Sequence, residues 1–305
     1  MSVSFAAALN AAQAAAASQH YPQGALYVVA TPIGNLADIS LRALHVLSLC
    51  DTLACEDTRH SQSLLRAYGV ETSSKQWLAL HQHNESQATE EVIRRLQAGQ
   101  RVAYLSDAGT PAVSDPGARL VWQVQAASLR CVPLPGASSI TSLLSVAGTP
   151  CPEVSGFVFV GFLPTKGHER DVILNALATE PRTQVLLEAP HRIEALAKSL
   201  SILGERPITI GRELTKQFEE VATLLAHEFP TWLSAAPTRS KGEFVVLVHA
   251  QVPSQDQDGQ HDTLLTLLMQ ELPVKSAVKL ACEITGAPRN LLYERALLLR
   301  DHKAV

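Results

Sequence analysis

The chain has 305 residues, enough at roughly 150 per domain for about two domains, each with its own core. At 46% hydrophobic and 18% charged residues it is neither disordered throughout, nor collagen-like, nor a coiled coil. Twenty-five Lys and Arg against 29 Asp and Glu give a net charge of −4, so a nucleic-acid partner has to meet a local basic face rather than bulk charge. Five scattered cysteines without C-x-x-C spacing read as free thiols of a reducing compartment, the cytoplasm. No run reaches the roughly 18 apolar residues of a membrane span, so no membrane partner is expected.

Residues 1–24 are Ala-rich and carry no Lys or Arg, which excludes a secretory or mitochondrial leader and suggests a flexible or partly helical tail. From Ala25 onward β-rich apolar runs alternate with helical patterns. Strands are predicted at 26–30, 51–55, 77–81, 101–105 and 130–134, each followed by a helix, at 39–50, 61–68, 85–98, 118–129 and 138–146. The helix from Glu85 is the clearest, because Ala88, Val92, Ile93 and Leu96 share one face and Gly99 stops it. Such alternation means crossover units on a mostly parallel sheet.

The segment Gly148-Thr-Pro-Cys-Pro152 breaks the pattern. A second series follows, with strands at 157–161, 184–187, 208–210 and 244–248. Residues 251–262 have almost no apolar side chain and read as a linker. Three short helices are expected beyond it, at 263–271, 274–285 and 290–299. This tail holds six basic residues (Lys275, Lys279, Arg289, Arg295, Arg300, Lys303) against five acidic ones. It reads equally as a helix-turn-helix-like grip on nucleic acid or as a helical cap on the second domain. The expected organisation is therefore a tail (1–24), an α/β domain (25–149), a second α/β domain (150–250), a linker (251–262) and a helical unit (263–305).

In open parallel sheets ligands bind outside the carboxyl ends of the strands. Thr31-Pro-Ile-Gly-Asn35 makes a tight turn after the first strand, with Pro32 fixing φ and Gly34 free to take a positive one. The dinucleotide fingerprint G-x-G-x-x-G is absent there. After the fourth strand, residues 106–117 form a loop with two Asp, two Gly and two Pro, far richer than a short crossover needs. After the fifth, Ser138 or Ser139 can cap a helix, which is the expected role of at least one of them. Cys55-Glu-Asp-Thr-Arg-His60 crowds charges at the end of strand two, either as a surface ion-pair cluster or as site residues. Glu188-Ala-Pro-His-Arg192 and Gly211-Arg-Glu-Leu-Thr-Lys216 do the same in the second half. No His and carboxylate spacing suggests a metal. His81-Gln-His83 alternates like a strand end, placing both histidines on one face.

Nine motifs occur in one order between Thr31 and Val248: ATPIGNLADIS, CEDTRH, LHQHNE, SDAGTPAVSDPG, PLPGASS, GFLP, EAPHR, RELTK and GEFVVLV. Together they closely resemble the small-subunit ribosomal RNA methyltransferase I group of the tetrapyrrole methylase (class III methyltransferase) superfamily. The tail segments LPVKSAVK and YERA resemble that group's helix-turn-helix unit. Two positions depart, Cys55 where a small residue is usual and Ala137 where proline often stands.

The resemblance implies two successive α/β domains plus the helical unit, S-adenosyl-L-methionine held in a cleft, and a homodimer. It further implies a cytidine 2'-hydroxyl in the decoding region of 16S ribosomal RNA as acceptor. Donor contacts carried over to this chain are Pro32, Gly34, Asp107, Ala108, Gly109, Thr110, Ser138, Ser139, Gly161 and Phe162. Glu56, Asp57 and Glu188 are the candidate general bases, none secured by spacing. Arg59, Arg192, Arg212, Lys216, Lys275 and Lys279 are the candidate RNA contacts. Two other functions compete: methylation of a small tetrapyrrole or corrinoid ring, which needs no appended gripping unit, and a non-catalytic RNA-binding assembly factor.

Overall fold

The computed structural model describes residues 5–81, 83–165, 168–252 and 257–302. Residues 1–4 of the Ala-rich start, Gln82, residues 253–256 of the expected linker and Lys303 lie outside them. Two compact units emerge. One comprises Met1–Gly148, Phe159–Arg170 and Val185–Val248; the other comprises Thr149–Val158, Asp171–Gln184 and His249–Val305.

The first sheet contains β1 (Ala25–Val29), β2 (Thr52–Cys55), β3 (Gln76–Ala79), β4 (Val102–Leu105) and β5 (Arg130–Leu134) in the order β3-β2-β4-β1-β5, every pair parallel. Such a sheet must be covered on both faces, and alternate residues of β1 show how. Ala25, Tyr27 and Val29 pack into a cluster with Leu44 and Leu47 of α2 (Leu41–Leu49) and Leu65 of α3 (Thr58–Ala67). Leu26 and Val28 face Val92 and Leu96 of α4 (Glu85–Gln97) and Leu120 and Val124 of α5 (Gly117–Ala126). The helices thus start and stop within a few residues of expectation. Ser40 caps α2 by accepting from the Ala43 amide at 3.1 Å.

The Ala-rich start is not a flexible tail over its described part. Ala6–Ala16 form helix α1, with Ala12 and Ala16 buried in the α2 cluster and the Phe5 ring edge-on to Tyr68 at 5.3 Å. Alanine favours the helix and, with no bulk beyond Cβ, allows close approach of two helix axes. A helical face of small residues looks like low complexity until its partner is in place.

The second sheet has β6 (Phe157–Phe162), β7 (Thr183–Glu188), β8 (Pro207–Arg212), β9 (Glu220–Leu225) and β10 (Phe244–Val248) in the order β6-β7-β10-β8-β9. β8 runs antiparallel to both β9 and β10. Strand β9 is not among the expected strands: EVATLL is only half buried at the sheet edge and its apolar residues do not strictly alternate, so its period-2 signal is faint. Helix α6 (Ser139–Ala147), which follows β5, joins the sheets through Leu143, packed with Ile33, Val185, Leu214, Val245 and Leu247. Residues 185–248 consequently belong to the same compact unit as residues 1–148. The compact units therefore differ from the expected division into 25–149 and 150–250.

Within the second unit, α10 (Gln257–Glu271), α11 (Val274–Thr285) and α12 (Arg289–His302) enclose a core of Leu265, Val278, Ala281, Leu292 and Ala296. Gly286, at φ 70°, ends α11 in the left-handed conformation that glycine tolerates best. Helix α10 begins inside the stretch expected as linker. Asp262 there accepts two hydrogen bonds from Arg295, at 2.9 and 2.8 Å, a tertiary contact that composition does not reveal. All five cysteines are free, and burial pushes the Cys50 thiol up to about 12 and that of Cys55 up to about 11. Among the described residues no helix is long and apolar enough to cross a membrane.

Candidate active site at the carboxyl ends of two sheets

The loops that leave β1, β4 and β5 converge. Thr31 and Gly109 exchange backbone hydrogen bonds of 2.9 and 3.1 Å, the Ala30 amide donates to Leu134 O at 3.2 Å, and Thr110 Oγ1 donates to Ala137 O at 3.1 Å. Gly109 makes the bridge possible, since its φ of 79° is a conformation side chains avoid and a Cβ would lie 3.2 Å from Ile33.

Asp115 organises the far end of the same loop. Its Oδ1 accepts from Tyr104 Oη and the Gly117 amide, both at 2.8 Å, and its Oδ2 accepts from the Ala112 amide at 2.8 Å. Ala112, at φ 65°, is held in a left-handed conformation by that contact.

These loops and the ends of β6, β7, β8 and β10 line a cavity of about 480 Å³ within the first unit. From the first sheet come Asp107, Ala108, Gly109, Thr110, Ser138, Ser139, Glu56 and Asp115; from the second come Phe162, Glu188, Gly211, Glu243 and Phe244. Seven of the ten expected donor contacts therefore stand in its wall. Pro32, Gly34 and Gly161 do not. Gly34 serves a different need, for a Cβ there would lie 2.3 Å from Lys216 Cγ, so glycine lets the lysine stem cross the turn. Ser138 makes no capping hydrogen bond although it precedes α6, so the capping role expected of one of the serines is not taken by it. Ser138, Ser139 and Ile140, at the start of α6, line the cavity.

The first-sheet wall is acidic. Burial, then the charges of Asp115 and Asp107, raise the pKa of Glu56 above the usual carboxylate range. Asp57 differs. It caps α3, accepts from the Arg59 amide at 2.8 Å and pairs with the Arg59 side chain at 3.2 Å, which lowers its pKa; it does not line the cavity. Glu188 is buried, with Oε1 bound by Arg192 Nε at 3.0 Å and by the Ala189 amide at 3.0 Å, while Oε2 has no hydrogen-bond partner among the described residues.

Three of the expected RNA contacts are paired with carboxylates of the chain itself. Arg192 is committed to Glu188 and to the carbonyl of Leu163. Arg212 is buried, donates to Lys241 O and Phe218 O at 3.2 Å each and pairs with Glu220 at 3.5 Å. Lys216 pairs with Glu213 at 2.8 Å and Glu243 at 3.0 Å. Arg59, Lys275 and Lys279 are exposed. Asp115 and Glu243 line the cavity without having been singled out: both stood inside quoted motifs, but a loop carboxylate has no periodicity to mark its direction. His81 and His83 lie beyond the end of β3 rather than on a strand, with their rings edge-on at 6.0 Å.

The family model described as Tetrapyrrole (Corrin/Porphyrin) Methylases matches residues 25–230, and one described as the RsmI C-terminal HTH domain matches residues 255–300. The chain is similar to two proteins named Ribosomal RNA small subunit methyltransferase I. That of Pseudomonas aeruginosa is 47% identical over 90% of this chain and 97% of its own, and that of Escherichia coli O157:H7 is 44% identical over 90% and 95%. Among solved structures, a cobalt precorrin-4 methyltransferase of cobalamin biosynthesis shares the fold at TM-score 0.55 and 16% identity, over 76% of this chain and 98% of that one. A uroporphyrin-III C-methyltransferase of Thermus thermophilus complexed with S-adenosyl homocysteine does so at TM-score 0.50 and 20% identity, over 73% and 96%. Motif order, two sheets with a shared rim and the appended helices thus agree with these matches, and the chain belongs to the tetrapyrrole methylase family, in the group of ribosomal RNA small subunit methyltransferase I.

Proposed function

We propose that this chain methylates small-subunit ribosomal RNA, taking the methyl group from S-adenosyl-L-methionine and placing it on the ribose 2'-hydroxyl of a cytidine in the decoding region of 16S RNA. The observation that carries the reading is the cavity at the joined carboxyl ends of β1, β4 and β5 in a chain 47% identical to a ribosomal RNA small subunit methyltransferase. Its volume lies in the roughly 300–1,000 Å³ range of small-molecule sites. Three carboxylates in its wall, Glu56, Asp107 and Asp115, suit a donor that carries positive charge. A neighbour of the same fold is complexed with S-adenosyl homocysteine, the demethylated form of that donor.

The donor supplies an electrophilic methyl on a sulfonium. The residues of this chain have to bind it, line it up with the acceptor oxygen and keep water away. Asp107 to Thr110, Ser138 and Ser139 are the proposed donor contacts of the first sheet, and Phe162 contributes an aromatic face from the second. Such positioning can contribute roughly 7–11 kcal/mol to the rate. The acceptor is a nucleic acid, and the proposed contacts to it are Arg59, Lys275 and Lys279. We read the working assembly as a cytoplasmic homodimer, supported by the family resemblance and, for the compartment, by five free cysteines.

Incubating the protein with methyl-labelled donor and immature small ribosomal subunits, then digesting the RNA to nucleosides, tests the reading. Label is expected in 2'-O-methylcytidine. Label in a base, or transfer only to a corrinoid or porphyrin ring, would refute it, and a chain that binds no donor would be an assembly factor.

The helical unit gives a separate expectation. Replacing Lys275 and Lys279 together by alanine should weaken RNA binding and lower the slope of log affinity against log salt by about 1.4–1.8, from 0.7–0.9 per lost phosphate contact. Filter binding between low and moderate salt reads this directly, and an unchanged slope would remove α11 from the interface.

A further inference from the structure

Methylating a hydroxyl requires its proton to go somewhere, and the cavity wall contains several carboxylates. Most of them are already engaged. Asp115 uses both oxygens on three partners, Asp107 Oδ1 accepts from the Asp57 amide at 3.3 Å, and Glu243 pairs with Lys216. Glu56 lies beside Asp107 and Asp115, and burial followed by those two charges raises its pKa, so it contributes to the acidic first-sheet wall. Asp57 is outside the wall and is tied to Arg59.

Glu188 is different in kind. It ends β7, its side chain is 0% exposed, and it lines the cavity. One oxygen is fixed by Arg192 and the Ala189 amide. The other, Oε2, is the buried carboxylate oxygen without a hydrogen-bond partner among the described residues. An unpaired buried acceptor costs about 1–3 kcal/mol, more when charged. Native structures keep such groups where a ligand or a reaction uses them. The neighbouring guanidinium, itself anchored on the Leu163 carbonyl, orients the carboxylate.

We propose that Glu188 is the catalytic base of this site, its Oε2 taking the proton of the acceptor hydroxyl, and that Arg192 is its positioning residue. The inference rests on the methyl-transfer reading above. As the hydroxyl oxygen's lone pair forms the new bond to the methyl carbon, the carbon–sulfur bond breaks and its electron pair stays on sulfur. The O–H bond pair remains on oxygen, the proton passes to Oε2, and the resulting carboxylic acid later returns it to water. Charge balances: a cationic donor and neutral alcohol give a neutral thioether, an ether and one proton.

Single-turnover methylation by Glu188→Gln is expected to fall about 10²–10⁴-fold. Calorimetric affinity for S-adenosylmethionine and filter-binding affinity for RNA should stay within roughly threefold of the wild type. In Glu188→Ala, added formate should restore part of the lost rate by supplying a carboxylate to the space left behind. Arg192→Lys, which cannot bridge both partners with a planar fork, should lower the rate with donor binding intact. If Glu188→Gln turns over at the wild-type rate, or if it loses donor affinity in proportion to its rate, Glu188 is not the base. Should Glu188→Ala fail to fold, the isosteric glutamine variant still decides the matter. A wild-type protein that produces no 2'-O-methylcytidine defeats the functional reading itself; a competent wild type with an unimpaired Glu188→Gln defeats this inference alone.

Discussion

Asp115→Ala is expected to reduce stability by about 2–4 kcal/mol and to weaken donor binding tenfold or more. The carboxylate holds the Tyr104 hydroxyl, the Ala112 amide and the Gly117 amide, and Tyr104 is fully buried. Removing it leaves a hydroxyl in the core without its acceptor and frees a loop residue at φ 65° to relax toward ordinary backbone conformations. Because that loop also carries Asp107 to Thr110, relaxation should spread to the cavity. Denaturant unfolding and calorimetry with S-adenosylmethionine measure the two effects. Asp115→Asn keeps one oxygen acceptor and should lose less on both; equal loss in the two variants would mean that charge, not loop geometry, is what Asp115 provides.

The second large effect belongs to Arg212. Its replacement by methionine should cost about 2–4 kcal/mol, since the Lys241 and Phe218 carbonyls lose their donors and Glu220 loses one of its two cations. Arg239, 2.8 Å from Glu220, keeps the penalty below that of a fully orphaned carboxylate. RNA affinity of the folded variant should stay within roughly threefold of the wild type, because a buried guanidinium releases no counterion from a phosphate. Filter binding alongside denaturant titration distinguishes the cases: a loss of RNA affinity at unchanged stability would return Arg212 to the interface.

Arg212 also shows where reading residues in order stops working. It stands in RELTK, after a strand, with a positive charge, which is the pattern of a phosphate contact. In this structure it pairs with Glu220, a residue of the neighbouring strand β9, whose half-buried EVATLL has no strict apolar alternation to mark it as a strand. Lys216 pairs with Glu213 of its own motif and with Glu243, which only the fold brings within 3.0 Å. Periodicity did better with the elements. α4 repeats Ala88, Val92 and Leu96 on one face and ends one residue from where Gly99 said it would. β5 spans the residues expected of it.

Local order along the chain was enough to place ten of the alternating elements of the first sheet, the turn-rich loops after β1, β4 and β5, and the chemistry that their motifs resemble. Those features depend on neighbours a few residues away, whose spacing is written in the sequence. Tertiary structure alone decided that the Ala-rich start docks as α1, that residues 185–248 share a compact unit with the first sheet through Leu143 and Ile33, and that one oxygen of Glu188 is buried without a hydrogen-bond partner among the described residues. Each of these depends on which distant side chain arrives within hydrogen-bonding or van der Waals range, and that is a property of the packed chain rather than of its order.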